Sequence, residues 1–582
     1  MITEKYFGWM AFLAIGVVVA FGPAFHASVL ATVGIFALLG LSLVLLGLSG
    51  QVSLGHAAFM GLAAYTSSIV ALRFDLSSWL SMTSGILATM GVAFLLGLAT
   101  LRLRGHFLAL TTLAWGIAIA ACFRAAGDLT GGASGLRGVP GLAILGFSLV
   151  EPNRMGLLIW ACVVLVMLAM VRVQRSRVGR AFSALRNQEG MAEAFGVAIG
   201  VVRLQAFVAS AGIAGLAGGL YAHYFGFISP SPFELSGSIK ALMIAVVGGE
   251  LHPVGALIGA FTVEGLSWLL QDTLPLMFSS AGSVELIVYG MILIAVMVWF
   301  HDGIWSYIQR RLSPPCHRVP ASPLSRRPAQ VGKETLLDVQ NISVHFGGLR
   351  ALDGVSFEVR SGEIVGLIGP NGAGKSTAFD VISGARRCDD GTVRLFGAHL
   401  PAQRLVVRAG LSRSFQHTKL IDELPVLENV MMGGYQRSHT GYWAAVLGAN
   451  AMEERQLAAT ALDCLKRVGL DAMASSPAAN LSLGQRRLVE VARALAADPH
   501  LLLLDEPAAG LRQADRVVLA RLLKKLNSEG LTILIVEHDM DLVMSCADRL
   551  VVLDRGRKIA DGSPAQVRSN AAVIEAYLGG AT

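Results

Sequence analysis

The stretch Gly369-Pro-Asn-Gly-Ala-Gly-Lys-Ser-Thr377 limits what this chain can fold into more than any other. It follows an apolar run, Ile364-Val-Gly-Leu-Ile368, of the kind that makes a buried strand, and leads into Ala378-Phe-Asp-Val-Ile382, which can continue as a helix. A glycine-rich turn between strand and helix aims successive backbone N–H groups and a helix N-terminus at one point, which makes a phosphate cradle. Asn371, Gly372, Gly374 and Thr377 belong to that cradle. Lys375 supplies a point charge for β- and γ-phosphates, and the Ser376 hydroxyl is placed to hold Mg²⁺. A glycine turn arising by chance would not require both flanking elements and five set positions. The motif therefore predicts ATP or GTP as ligand.

Composition adds a membrane. An apolar content of 54% with 15% charged residues in a chain of 582 is foreign to a soluble protein, and the apolar excess lies before residue 305. A spanning helix needs about 20 mostly apolar residues. Windows near 7–23, 28–48, 52–72, 80–101, 107–124, 157–171, 204–223, 236–247, 254–270 and 284–300 qualify, about ten spans in all. The run from Phe7 to Phe21, with Lys5 ahead of it, reads as a retained anchor, since no small-residue cleavage site follows. Two windows are weak: 52–72 is interrupted by glycines and carries His56, and 236–247 is short and carries Lys240.

Arg and Lys set the orientation. With the N-terminus inside, Arg102 and Arg104 fall in one cytoplasmic turn, and Arg172, Arg175, Arg177, Arg180, Arg186 and Arg203 in one long cytoplasmic loop. An even span count returns the chain to the side where ATP is. The net charge of +7 is used up in such loops, and no basic stripe interleaved with aromatics points to nucleic acid. The six cysteines form neither a paired framework nor a metal cluster, which suits a reducing compartment. Inside the spans, His56, Lys240 and Glu264, with Gln51 and Ser53, are candidates to line a path. Snorkelling is the plainer reading of Lys240, and interhelical hydrogen bonding of His56 and Glu264.

Prolines at 314, 315, 320, 323 and 328 forbid helix and mark a tether. The expected division is an all-α polytopic membrane domain at 1–305, a proline-rich linker at 306–333 and an α/β nucleotide-binding domain at 334–582. The linker's basic residues can meet anionic lipid, though solvated charge suffices to explain them.

Within the last domain, 335–344 and 355–359 alternate as paired strands, with Phe346 in the connection, either a base-stacking aromatic or a core residue at a strand end. Leu501-Leu-Leu-Leu-Asp-Glu506 reads as a buried strand ending in two carboxylates. Asp505 is assigned to the metal and Glu506 to orienting and deprotonating the attacking water. Ile533–His538 repeats the pattern and brings His538 to the same edge, where an imidazole can sense the γ-phosphate, although a histidine there is by itself more often a satisfied surface residue. Gln416, in Arg413-Ser-Phe-Gln416, can reach Mg²⁺ or water, and Leu481-Ser-Leu-Gly-Gln485 opens a helix.

The ordered set of cradle, glutamine, Leu-Ser-Leu-Gly-Gln, Asp-Glu and histidine resembles the ABC ATPases, and the tail Val573-Ile-Glu-Ala-Tyr-Leu578 resembles their branched-chain amino acid branch. The first 300 residues are similar to the permease of branched-chain amino acid ABC importers. The similarity rests on Leu101–Gly105, Leu129–Leu136, Gly179-Arg180, Ala214–His223, Val246–Glu250, Gly255 and Gly259-Ala260, which are also ordinary small-residue packing patterns. Glu189–Gly196, by itself a plain surface helix, looks like the Glu-Ala-Ala coupling loop of such permeases. Leu483 departs from the usual glycine, and Arg512 stands where aspartate is common.

The resemblance implies that Ser482, Gly484 and Gln485 serve a nucleotide held by an opposite ATPase domain. It further implies a second permease, a second ATPase and an extracytoplasmic solute-binding protein as partners in the bacterial inner membrane. ATP-driven import of branched-chain or related hydrophobic amino acids is the expected function. Urea, short amides or aromatic acids are alternative solutes. An exporter half-transporter and a membrane-bound regulatory ATPase are alternative machines.

Overall fold

A computed structural model describes residues 14–100, 106–144, 146–249, 251–277, 322–327, 334–416 and 418–578, with short stretches between 287 and 305. Contacts divide the chain into two compact units. One gathers Met1–Arg186, Gly200–Pro315 and Tyr442–Gly448; the other gathers Asn187–Ile199, Cys316–Gly441 and Ala449–Thr582.

The first unit is helical. Its main helices are α1 (Ala24–Leu48), α2 (His56–Phe74), α3 (Ser78–Thr100), α4 (His106–Ala125), α5 (Pro152–Gln174), α6 (Arg177–Asn187), α8 (Ile199–Phe225), α9 (Leu235–Gly248) and α10 (Pro253–Met277), while α7 (Glu189–Ala194) belongs to the second unit. Among the described residues seven helices are long and apolar enough to cross a membrane. Of the window expected at 7–23, residues 14–21 are helical and 7–13 lie outside the described residues, and the window at 284–300 is described only in short stretches. Helix α9, at 14 residues, rises only about 21 Å, short of the roughly 30 Å of hydrocarbon. Helix α2 starts at His56 and runs unbroken through Gly61, leaving Gln51–Gly55 as non-helical chain.

Small residues set how these helices approach. A Cβ on Gly218 would lie 1.9 Å from the Met60 carbonyl oxygen, and one on Gly259 would lie 1.9 Å from that of Ile244. Backbone cannot yield as a side chain can, so α8 meets α2, and α10 meets α9, only because a hydrogen stands there. Some polar residues in this unit are paired across helices. Lys240 Nζ lies 2.8 Å from Glu264 Oε1, bridging α9 and α10, and 4.5 Å from the centre of the Phe36 ring. Lys240 is thus paired with Glu264 across two helices instead of snorkelling outward. His56 is buried edge-on against Phe59, and Gln51 donates to the Arg203 carbonyl at 3.1 Å. His223, not singled out from the sequence, bonds Ser67 Oγ at 2.8 Å and the Pro140 carbonyl at 2.6 Å.

The second unit is α/β. Strands β1 (Thr335–Phe346), β2 (Leu349–Arg360), β4 (Asp390–Leu395) and β5 (Ala398–His399) form an antiparallel sheet in the order β2-β1-β4-β5. Strands β3 (Ile364–Ile368), β6 (Leu411–Arg413), β7 (Leu501–Asp505), β8 (Thr532–Val536), β9 (Arg549–Asp554) and β10 (Arg557–Gly562) form a second sheet in the order β6-β7-β8-β3-β9-β10. All its pairs are parallel except β9 with β10. Helices cover a parallel sheet on both faces, which is why Leu501–Leu504 and Ile533–Val536 are uniformly apolar and buried. The helices include α11 (Lys375–Ile382), α12 (Gln403–Ala409), α13 (Val426–Gly433), α15 (Ala451–Arg467), α16 (Leu483–Ala496), α17 (Gln513–Ser528) and α18 (Met540–Cys546). Helix α14 (Tyr442–Leu447) falls in the first unit.

Candidate nucleotide site

Strand β3 is buried along its whole length and ends in the loop 369–374, from which α11 starts at Lys375. Two glycines there are forced. Gly374 has φ +95°, and a Cβ on it would lie 2.5 Å from the Ala351 carbonyl oxygen; one on Gly369 would lie 2.2 Å from that of Leu553. Lys375 is buried and curls back over the loop, donating to the Gly369 carbonyl at 2.8 Å and that of Pro370 at 2.9 Å. Burial lowers its pKa, with the Glu506 carboxylate opposing. A phosphate there would give the ammonium the counter-charge it lacks. Ser376 is exposed and Thr377 half-buried in the first turn of α11, with Asn371 and Gly372 exposed in the loop.

Asp505 and Glu506 follow where β7 runs out. Asp505 N–H donates to Ser414 Oγ at 3.0 Å, and its carboxyl is buried. Burial pushes that carboxyl up to about 6; Arg413 opposes, while Glu506 and Asp380 add repulsion. An acid so destabilised in its ionised form is suited to a cation. Ser376, Gln416 and Asp505 offer hard oxygen donors of the kind Mg²⁺ takes alongside phosphate oxygens. Among the described residues no three of His, Cys, Asp and Glu cluster as a self-sufficient metal site, and one carboxylate with phosphates is the usual Mg²⁺ arrangement. The residues present fit the ion.

Glu506 has φ +44°, an uncommon backbone conformation for a residue with a side chain. Its N–H donates to the Val536 carbonyl at 2.8 Å, which ties it to the end of β8. Its carboxylate receives Gln416 Nε2 at 3.3 Å and lies 3.8 Å from His538 Nδ1. Gln416, Glu506 and His538, spread over more than a hundred positions of sequence, thus converge beside Lys375. Phe346 ends β1 and is 46% exposed, with the Arg386 guanidinium 3.9 Å from its ring centre, so one face of the ring is already stacked.

Ser482, Gly484 and Gln485 stand apart from this group: among the described residues no hydrogen bond or ion pair joins them to it. Ser482 and Gln485 instead form a reciprocal cap on α16, Ser482 N–H to Gln485 Oε1 at 3.0 Å and Gln485 N–H to Ser482 Oγ at 3.3 Å. A Cβ on Gly484 would lie 3.2 Å from the Asp515 carboxylate.

Sequence reasoning missed the supports. Glu537 is fully buried and accepts from the N–H groups of Ala508 at 2.7 Å, His538 at 3.0 Å and Asp539 at 3.2 Å, so it ties the loop after Glu506 to the loop bearing His538. Burial raises its pKa and those three N–H groups oppose. Its signal was a carboxylate at the end of an otherwise apolar strand. On α16, Arg487 donates to the carbonyls of Phe415 at 3.0 Å and Gln416 at 2.6 Å, and Arg493 to that of Lys419 at 2.6 Å. Glu490 lies buried between the two guanidiniums, at 3.3 Å from each. Helix α7 packs in this same unit against α12; Phe195 lies 5.3 Å under the Arg493 guanidinium, and Gln436 donates to the Gly196 carbonyl. Tyr577, in the C-terminal helix, faces the Gly369 backbone.

Known proteins share both halves. The family model described as the permease component of the branched-chain amino acid transport system matches residues 25–297, that of ABC transporters 352–509, and that of branched-chain amino acid ATP-binding cassette transporters 557–582. The chain is 42% identical over 252 residues to the high-affinity branched-chain amino acid transport ATP-binding protein LivG of Salmonella typhimurium, covering 42% of this chain and 98% of that protein. It is 39% identical over 250 residues to BraF of Pseudomonas aeruginosa, a protein described in the same terms, again covering 42% and 98%. The chain belongs to the branched-chain amino acid ABC transporter family. As a family member it is a permease fused to an ABC ATPase, it binds nucleotide, and it couples ATP hydrolysis to transport across the membrane in which its apolar helices reside. Such an importer works as one part of a multi-component system.

Proposed function

We propose that this chain imports branched-chain or related hydrophobic amino acids across the bacterial inner membrane, with its permease at 1–305, a tether at 306–333 and its ATPase at 334–582 on the cytoplasmic side. The observation that carries the reading is the succession, in one chain, of the permease match, the ATPase match and the branched-chain-specific match at 557–582. Its partners are a second permease, a second ATPase and an external solute-binding protein, because each nucleotide motif occurs once.

In this reading the loop N–H groups and Lys375 hold the phosphates, and Phe346 stacks on adenine with the face that Arg386 leaves free. Mg²⁺, held by Ser376, Gln416 and Asp505, would neutralise charge on the β- and γ-phosphate oxygens. Glu506 takes the proton of the attacking water, and Gln416 and His538 hold that carboxylate in place and meet the γ-phosphate. Ser482, Gly484 and Gln485 complete the site of the partner ATPase. Helix α7, packed beside the Gln416 loop through Phe195 and Arg493, conveys the state of that site to the membrane helices it joins in sequence.

The test is uptake by vesicles reconstituted with the partner subunits and binding protein. Accumulation of leucine, isoleucine or valine against a gradient, dependent on ATP, is expected. Uptake of urea, short amides or aromatic acids with none of any aliphatic amino acid overturns the substrate and leaves the machine intact.

A further inference from the structure

Helix α14 (Tyr442–Leu447) is encoded in the middle of the ATPase sequence, yet it belongs by contact to the helical unit. Trp443 and Leu447, four residues apart, share one face, and they are 69% and 75% exposed. Ala445 is buried at 1%. The helix stops at Gly448, φ +75°, whose N–H returns to the Ala445 carbonyl at 3.1 Å. A soluble surface gains nothing from presenting an indole and a leucine side by side.

What α14 rests on gives its level. Arg172, in the last turn of α5, donates to the Val446 carbonyl at 3.3 Å, and a Cβ on Gly448 would lie 3.5 Å from Arg172 Nε. Helix α5 is one of the seven helices, among the described residues, long and apolar enough to cross a membrane, and its 23 residues rise about 34 Å, slightly more than the roughly 30 Å of hydrocarbon. Its basic end, with exposed Arg172 and Arg175, therefore stands at the headgroups, and α14 stands beside it.

We propose that Trp443 and Leu447 enter the boundary between headgroups and acyl chains, so that the ATPase sequence contributes a lipid anchor next to α5. Tryptophan is favoured at that depth because its body is apolar and its N–H is polar, and guanidiniums at the same level attract anionic headgroups. A protein partner is the poorer fit. Two side chains on a six-residue helix fall far short of the roughly 800 Å² per side that a stable protein interface buries. The inference depends on α5 crossing the bilayer and not on which solute is carried.

The test subtracts the tryptophan emission of a Trp443→Phe variant from that of the parent, each as full chain reconstituted in bilayers with its partner subunits. The difference belongs to Trp443. It is expected to be blue-shifted and to lose most of its intensity in bilayers of lipids brominated just below the carbonyls, while aqueous iodide has little effect. A red, iodide-quenched difference places the indole in water and overturns the proposal. A blue difference quenched by neither agent places it in a protein interface and overturns it as well. Trp443→Leu allows the same subtraction if the phenylalanine variant folds poorly, and unchanged ATP turnover in either variant certifies the fold.

Discussion

The helical unit and the α/β unit solve opposite problems with opposite residues. In the α/β unit, leucine, isoleucine and valine strands leave water, so burial itself supplies the drive, and charged groups collect where strands end: Asp505, Glu506, Glu537 and His538. In the helical unit the surroundings are as apolar as the interior. Specificity there comes from absent side chains, as at Gly218 and Gly259, and from rare polar pairs such as Lys240 with Glu264. The same residue type thus carries different weight in the two places. A leucine in β7 holds the fold together, whereas a leucine in a spanning helix mainly faces lipid or its like.

Four measurements press on that contrast. The largest effect belongs to chemistry at a strand end: Glu506→Gln should lower ATP turnover of the reconstituted transporter by about 10²–10⁴-fold while nucleotide binding persists. Unchanged turnover would move the water-activating role elsewhere. Next comes the buried pair. Lys240→Met removes the ammonium 2.8 Å from Glu264 and should cost about 3–5 kcal/mol in thermal unfolding in detergent, whereas Lys240→Met with Glu264→Leu should recover most of it. A double variant as unstable as the single one would show that the pair is not the unit of stability.

The third effect is a slope against pH. Asp505 has its folded pKa raised to about 6 from an ordinary 3.8, so the folded state holds the proton more firmly between those values. Its contribution to stability is full below pH 4 and is lost as pH rises through about 6, by up to about 3 kcal/mol. The full chain carrying Asp505→Asn should lack that part of the slope in nucleotide-free unfolding. An identical slope would mean that other groups produce it. The smallest effect compares two glycines. Gly218→Ala, facing the Met60 backbone, should cost about 1–3 kcal/mol, and Gly265→Ala, with open space around it, should be neutral within about 0.5 kcal/mol. Equal costs would remove the claim that close approach governs the helical unit.

What the sequence alone determined here is local chemistry. A strand, a glycine loop and a helix adjacent in the chain make a phosphate cradle wherever the rest goes, so Gly369–Thr377, the apolar strands before Asp505 and His538, and the membrane-spanning runs were all legible. Span limits were less so. The shortness of α9 was legible, since the window 236–247 is itself short, but the start of α2 at His56, inside its window, was not. Tertiary structure decided which distant groups meet. Gln416, Glu506 and His538 come together because parallel strands β7 and β8 end at one edge, and Glu490 is usable inside the protein only because Arg487 and Arg493 face it there. The same holds for Lys240 and Trp443, one drawn inward by Glu264 on another helix, the other left outside by Ala445 turning in. The reason is physical: secondary structure is written in nearest neighbours, whereas a buried charge or an exposed indole has no assigned role until partners from elsewhere in the chain, or their absence, fix its surroundings.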